Sequence, residues 1–227
     1  MKKIACTLII LMICATIKAQ TDPQYRMEIG AAAGLGNYLG DYNGSIIKGM
    51  QPSGSIIARR ILNPYMAIRA NATYLNVKGN EKSVETYYPS KTEEPYSFSN
   101  MLIDVGFTFE YNFWPYGTGK DYRGAKRLTP FIFGGVGGTY ANPESKNVFT
   151  ANLPIGLGVK YKLNTRLNIS LDWSIHFSLS DELDGSKDPY TIESKGLFKN
   201  TDSYSILQLS ITYSFMEKCR TCHNDDY

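Results

Sequence analysis

The chain has 227 residues, 43% apolar and 13% aromatic, with 24 Lys and Arg against 21 Asp and Glu; its size suits one domain. No field of one sign marks it for nucleic acid, and after residue 19 no apolar run approaches the about 20 residues of a spanning helix. Membrane insertion would therefore have to use strands.

At the N-terminus, Lys2 and Lys3 precede an apolar run from Ile4 to Ala15, and Ile17-Lys18-Ala19 offers a small residue at a cleavage point. This is the form of a secretory signal peptide, Met1–Ala19. The run is short for a retained helix, and Ile13 stands where a lipid anchor on Cys14 would want a small residue. Cleavage removes Lys2, Lys3 and Lys18, which leaves 208 residues with 21 basic against 21 acidic side chains.

From Tyr25 onward the apolar period is two, which excludes a helical protein. Taken in order, strands are expected over Tyr25–Leu35, Ser53–Ile61, Met66–Val77, Ile103–Phe113, Leu128–Tyr140, Leu153–Leu163, Leu167–Phe177 and Leu207–Phe215. In the fourth, Ile103, Val105, Phe107 and Phe109 alternate with Asp104, Gly106, Thr108 and Glu110. The second and fifth mix Gly or Arg into both faces, so their register stays open, as does the direction of the Phe side chains of the fifth. The polar face is mostly Gly, Ser, Thr and Asn rather than Lys and Glu. Such small residues suit the interior of an eight-stranded barrel, which side chains just fill. The expectation is an all-β, eight-stranded antiparallel transmembrane barrel of outer-membrane type over residues 20–215, with strands of about 9–11 residues spanning the bilayer. Phe113, Trp114, Tyr116, Tyr161, Tyr213 and Phe215 fall where an aromatic girdle belongs. A soluble lipocalin-like barrel is the alternative with the same alternation.

Connections alternate as well. Gly36–Gln51, Lys78–Asn100, Tyr140–Thr150 and Leu179–Ser203 are long, while Asn63-Pro64 and Asn164-Thr165-Arg166 are tight turns. Short turns are periplasmic in such barrels, which places both chain ends there. Trp114–Arg127 breaks the pattern: fourteen residues on the short-turn side, with Lys120, Arg123, Lys126 and Arg127 against Asp121 alone. A partner-binding surface is expected there.

The tail, 216–227, holds Cys219 and Cys222. A local disulfide in an oxidising compartment and a bridge to a periplasmic partner are the two main readings; extended, the tail reaches roughly 40 Å. Cys219-Arg220-Thr221-Cys222-His223 also matches the c-type haem pattern, but no pocket or second axial ligand accompanies it, and three ligands fall short of a zinc site. No cofactor is expected.

Arg26, Glu28, Arg69, Asp104, Glu110, Lys160, Lys162, Asp172 and His176 fall on the inward parity. Charges crowded so closely must pair, which predicts a plugged lumen without a pore. Asp172, Ser174 and His176 share one strand face at a spacing of about 7 Å, too far for a direct hydrogen-bonded relay.

The opening Ile29–Asp41, the Asn63-Pro64 turn into Met66-Ala67-Ile68-Arg69, the strand end Tyr111-Asn112-Phe113, the start Thr129-Pro130-Phe131 and the terminal cysteine pair together resemble the PorG-like outer-membrane barrels of the type IX secretion system. The resemblance covers nearly the whole mature chain. It implies a non-enzymatic protein that holds a periplasmic lipoprotein ring against outer-membrane lipid, with no catalytic residues to transfer. An adhesin-like or ligand-binding barrel working through its outer loops, and a lipid-modifying enzyme depending on His176, are the alternatives.

Overall fold

The computed structural model describes residues 25–39, 49–80, 97–118, 125–142, 147–179 and 202–217. The signal-peptide segment, Lys120, Arg123, Cys219 and Cys222 lie outside them.

Eight antiparallel strands close into one barrel in sequence order: β1 (Tyr25–Leu39), β2 (Gln51–Asn63), β3 (Met66–Asn80), β4 (Ser97–Asn112), β5 (Leu128–Asn142), β6 (Val148–Lys162), β7 (Leu167–Ser178) and β8 (Ser203–Glu217). Closure comes from the β1–β8 pairing, in register from Tyr25↔Glu217 to Leu39↔Ser203. Every expected strand is present, in the expected order. They run longer than expected, 12 to 16 residues, because the ladders continue past the bilayer on the side of the long connections.

Strand alternation sorts the faces. Ile56, Phe107, Val136, Ile155 and Ile211 are more than half exposed, while Thr108, Glu110, Ser170, Asp172 and Ser210 are buried. In water such a continuous apolar exterior would be an aggregation site; in hydrocarbon it is the favourable surface, and closure leaves no unpaired edge. Tyr74, Tyr140 and Phe149 form an outer aromatic band, and Phe113, Trp114, Tyr161 and Tyr213 an inner one. Phe149 and Tyr161 on β6 are separated by roughly 30 Å along the membrane normal, a bilayer's thickness, at the usual rise and tilt. The protein is an outer-membrane β-barrel.

Two registers left open by sequence are now fixed. In β2, Arg59 points inward, 3% exposed, and Arg60 outward. In β5, Phe131 and Phe133 are buried inside and Ile132 faces lipid. The neighbouring strand makes room for them. A Cβ on Gly156 would lie 2.3 Å from the Phe133 ring, and one on Gly158 would lie 2.8 Å from that of Phe131.

Three expectations need correction. Arg26 has inward parity but is exposed, because it sits at the barrel mouth below the packed layers. Tyr116 leaves the expected girdle and turns toward the lumen, donating to Asn168. The interior is also not polar throughout: Tyr38, Leu75, Val77, Leu102, Ala141, Tyr204 and Ile206 form an apolar cluster inside its outer end.

Candidate functional site

The lumen is built in layers. Among the described residues, the strands contribute four buried acids, Glu28, Asp104, Glu110 and Asp172, and four buried bases, Arg59, Arg69, Lys160 and Lys162. Asp202, just before β8, is a further buried acid and accepts from the Tyr38 hydroxyl at the outer end. Arg59 joins Glu28 at 2.5 Å and Glu110 at 2.7 Å; Lys160 meets Glu110 at 2.5 Å; Arg69 reaches Glu110 at 3.7 Å and Asp172 at 3.3 Å. Aromatic faces cover the cations. Lys160 Nζ lies 4.1 Å from the Phe131 centroid and the Arg69 guanidinium 5.2 Å from that of Phe133. The inward β5 rings thus belong to the charge network, each supplying a π face to a cation.

Asp104 lies nearer the outer end and is held by neutral donors: Asn152 Nδ2 at 2.5 Å, the Tyr204 hydroxyl at 2.8 Å and more distantly Asn71 and Thr139. His176 stacks on Tyr204 with centroids 4.6 Å apart. Ser174 Oγ and His176 Nε2 are 3.2 Å apart, so the expected separation is wrong; side chains of residues two apart on this strand lean together. The carboxylate facing the far ring nitrogen is Asp104 rather than Asp172, at 3.8 Å, beyond a hydrogen bond. All three side chains are buried beneath the apolar cluster, so among the described residues the group is a packed layer.

At the end carrying the tight turns, the β4–β5 connection is tied down at its root. Phe113 N donates to Pro130 O, Trp114 N to Thr129 Oγ1 and Tyr116 N to Pro64 O, all at 3.0–3.1 Å. A parallel bridge joins Tyr116 and Lys126, with Gly117 N on Lys126 O and Lys126 N on Pro115 O. Arg127 O accepts from Lys162 N, which fastens the same segment to β6. Lys126 and Arg127 are exposed, the Lys126 ammonium 4.7 Å over the Trp114 ring. Of the basic residues singled out by sequence, these two lie on the surface of the tight-turn end, and Lys120 and Arg123 fall outside the described residues.

Tyr116 projects from this connection into the mouth, where its hydroxyl donates to Asn168 Oδ1 at 3.1 Å. Burial, and next the Glu28 carboxylate, push its phenol well above the ordinary tyrosine range, so it stays a neutral donor. Asn168 is the hub: it also accepts from Lys162 Nζ at 2.9 Å and donates to Ser214 and Glu28. A cleft of about 460 Å³ of empty space, its open mouth included, is lined by Glu28, Arg59, Asn112, Tyr116, Lys160 and Lys162, among others. Sequence missed Arg59, Tyr116 and Asn168 as site residues. Arg59-Arg60, like Ile56-Ile57, puts one residue type on both faces, and nothing in a loop sequence marks Tyr116 as inward.

A family model described as "Domain of unknown function (DUF6089)" matches residues 2–224. No curated protein matches the chain. Similar solved structures include Neisserial surface protein A, with TM-score 0.54 at 12% identity over 83% of this chain and 97% of that one. OprG from Pseudomonas aeruginosa gives 0.49 at 12% identity, covering 87% and 99%. The attachment invasion locus protein Ail of Yersinia pestis, solved with the heparin analogue sucrose octasulfate, gives 0.47 at 9%, covering 86% and 100%. With Neisserial surface protein A the chain shares the fold of a small outer-membrane barrel.

Proposed function

We propose, from the premise that this chain belongs to the DUF6089 family of unknown function, that it is a non-enzymatic outer-membrane anchor whose periplasmic face docks a protein partner. One observation carries this reading: the lumen is filled, while the β4–β5 connection is secured beneath it by backbone hydrogen bonds and leaves Lys126 and Arg127 exposed. A plugged barrel does no transport, so its work is done at its ends. A connection longer than a turn needs, yet fastened at both roots, is a surface with a shape to recognise. The PorG-like character of the sequence supplies the partner, the periplasmic lipoprotein ring of the type IX secretion system, with Lys120, Arg123, Lys126 and Arg127 as its charged contact. Cys219 and Cys222 add a covalent lock by disulfide exchange with a partner thiol or disulfide.

The test is crosslinking of intact membranes followed by electrophoresis with and without reductant. Wild-type protein should give a heavier species. Replacing Gly117–Lys126 by a two-residue turn should abolish it, and C219S with C222S should remove its reductant-sensitive part. A monomer band alone in wild type would sink the anchor.

A second reading, an adhesin-like barrel acting through outer loops, draws support from the apolar cluster at the outer end, which makes the emerging strands a rigid platform. It requires outer-loop deletions to abolish function and the β4–β5 replacement to leave it intact. A lipid-modifying enzyme would need His176; unchanged lipid composition in an H176A strain would dismiss it.

A further inference from the structure

Lys162 differs from the other cations of the lumen. Arg59, Arg69 and Lys160 each lie within 3.7 Å of a Glu110 oxygen. Lys162, only 4% exposed, takes no part in these ion pairs. Its ammonium donates to Asn168 Oδ1 at 2.9 Å and stands 5.3 Å from the Tyr116 ring centroid. Glu28 makes no ion pair with it, acting on it through space and through Asn168, and is itself ion-paired with Arg59. An ammonium has three donors, and one is committed here. A nearly buried cation whose hydrogen-bond partner is neutral, and whose nearby carboxylate is already ion-paired with Arg59, is only partly compensated, and Lys162 lines the cleft that opens at the mouth.

We propose that this cleft is a carboxylate-binding site in which Lys162 is the recognising charge and the Tyr116 ring and Asn168 amide hold its ammonium in place. The inference rests on the periplasmic face being the docking face and names the chemistry of what docks: an acidic side chain or terminal carboxylate of a polypeptide. A monoanion fits better than a phosphate dianion, because Glu28 forms part of the wall and a single uncommitted cation faces it. Two sources supply such a group: an acidic segment of the partner, or this chain's own terminus, Asp225-Asp226-Tyr227, which begins its course at the same end of the barrel.

The experiment uses the full mature chain refolded in micelles, with W173F leaving Trp114 as the fluorophore beside the site. The probes are N-acetyl-Asp-Asp-amide, its Asn-Asn counterpart and inorganic phosphate. The acidic dipeptide should bind saturably, the Asn-Asn dipeptide should not, phosphate should bind at least tenfold more weakly, and K162Q should weaken the acidic probe at least tenfold while K162R retains it. Heat-modifiable migration of each variant shows that the barrel is folded. Tighter probe binding after D225N with D226N assigns the resident carboxylate to the chain's own terminus; unchanged binding assigns it to a partner. Equal affinity of wild type and a folded K162Q for the acidic dipeptide, or no saturable binding, would overturn the site. If K162Q also leaves the crosslinked species of intact membranes undiminished while the β4–β5 replacement abolishes it, docking stands and the carboxylate site alone falls.

Discussion

Toward the tight-turn end the lumen holds Glu28, Arg59, Glu110 and Lys160 in one chain of ion pairs, whereas toward the end with the long connections it holds Tyr38, Leu75, Val77, Leu102 and Ile206 as an apolar cluster. Both fillings close the same tube. Where the exterior faces hydrocarbon, an apolar lumen would leave strands greasy on both sides and blur which face is which; inward charges specify the face at every second residue. Where the strands rise beyond the bilayer, that problem disappears and the interior packs like that of a soluble protein. The lesson is that the two ends should respond differently to deletion. A charged network fails when one partner leaves, because the others remain buried and unpaired, while an apolar cluster loses only the contacts removed.

Arg59→Met tests the charged end most severely. It strips Glu28 of its ion pair and Glu110 of one of three cations, for an expected loss of about 3–5 kcal/mol. Urea titration of the refolded barrel, followed by heat-modifiable migration, reads it. Adding Glu28→Gln should recover part of the loss. A single-variant loss below about 1 kcal/mol would show that the network is not ion-paired. At the other end, Leu75→Ala opens a cavity among Tyr38, Leu102 and Tyr204 and should cost about 2–4 kcal/mol. That loss should show no salt dependence between low and high ionic strength, unlike any rearranged charge set. Equal salt sensitivity of the two variants would erase the contrast.

How far the sequence revealed this contrast follows from where alternation is clean. Over Ile103–Phe113, Leu167–Phe177 and Leu207–Phe215 the apolar–polar beat is strict, so the faces and order of β4, β7 and β8 were legible. The outer extensions of β4 and β8, where Leu102, Tyr204 and Ile206 turn inward, were not. Arg59-Arg60 puts the same residue type on both faces and carries no parity signal. Gly134-Gly135-Val136-Gly137-Gly138 likewise leaves β5 without a marker, so the inward rings of Phe131 and Phe133 are decided by Gly156 and Gly158 across the ladder, beyond the reach of any local pattern. Inward Leu75, Val77 and Leu102 contradict the simple rule that oil faces out, since that rule holds only at bilayer depth. The basic character of the β4–β5 connection was legible from composition. Its tight fastening was not, because it depends on Pro64, Thr129 and Lys162, which are distant in sequence.

The close fit of rings against glycines gives a third variant. A Cβ at Gly156 would meet Phe133 Cζ at 2.3 Å and the Trp173 carbonyl oxygen at 2.6 Å. Gly156→Ala should therefore destabilise by about 1–3 kcal/mol, the usual range for overpacking. Phe133→Leu added to it should restore only part, since the backbone oxygen stays where it is. Full rescue would mean that the ring alone sets the constraint, and that β6 and β7 have slack the register does not suggest.

The smallest effect is expected outside the lumen, and it isolates burial as the variable. Arg166, in the β6–β7 turn, donates to Tyr213 at 3.0 Å and Glu217 at 2.5 Å and lies beside the Tyr25 ring, a geometry as good as that of Arg59. Both Arg166 and Glu217 are about half exposed or more, 49% and 62%. Water therefore screens the pair and solvates whatever a deletion leaves behind. Arg166→Ala should shift the urea midpoint within experimental error, although its bonds match those of the interior. If it instead approached the loss from Arg59→Met, the depth of an ion pair would not govern its weight here, and the difference between the two ends of the lumen would need another cause than desolvation. A clamp of that strength would point to Arg166 fixing the seam between β8 and the first residues of β1, where closure of the barrel is decided.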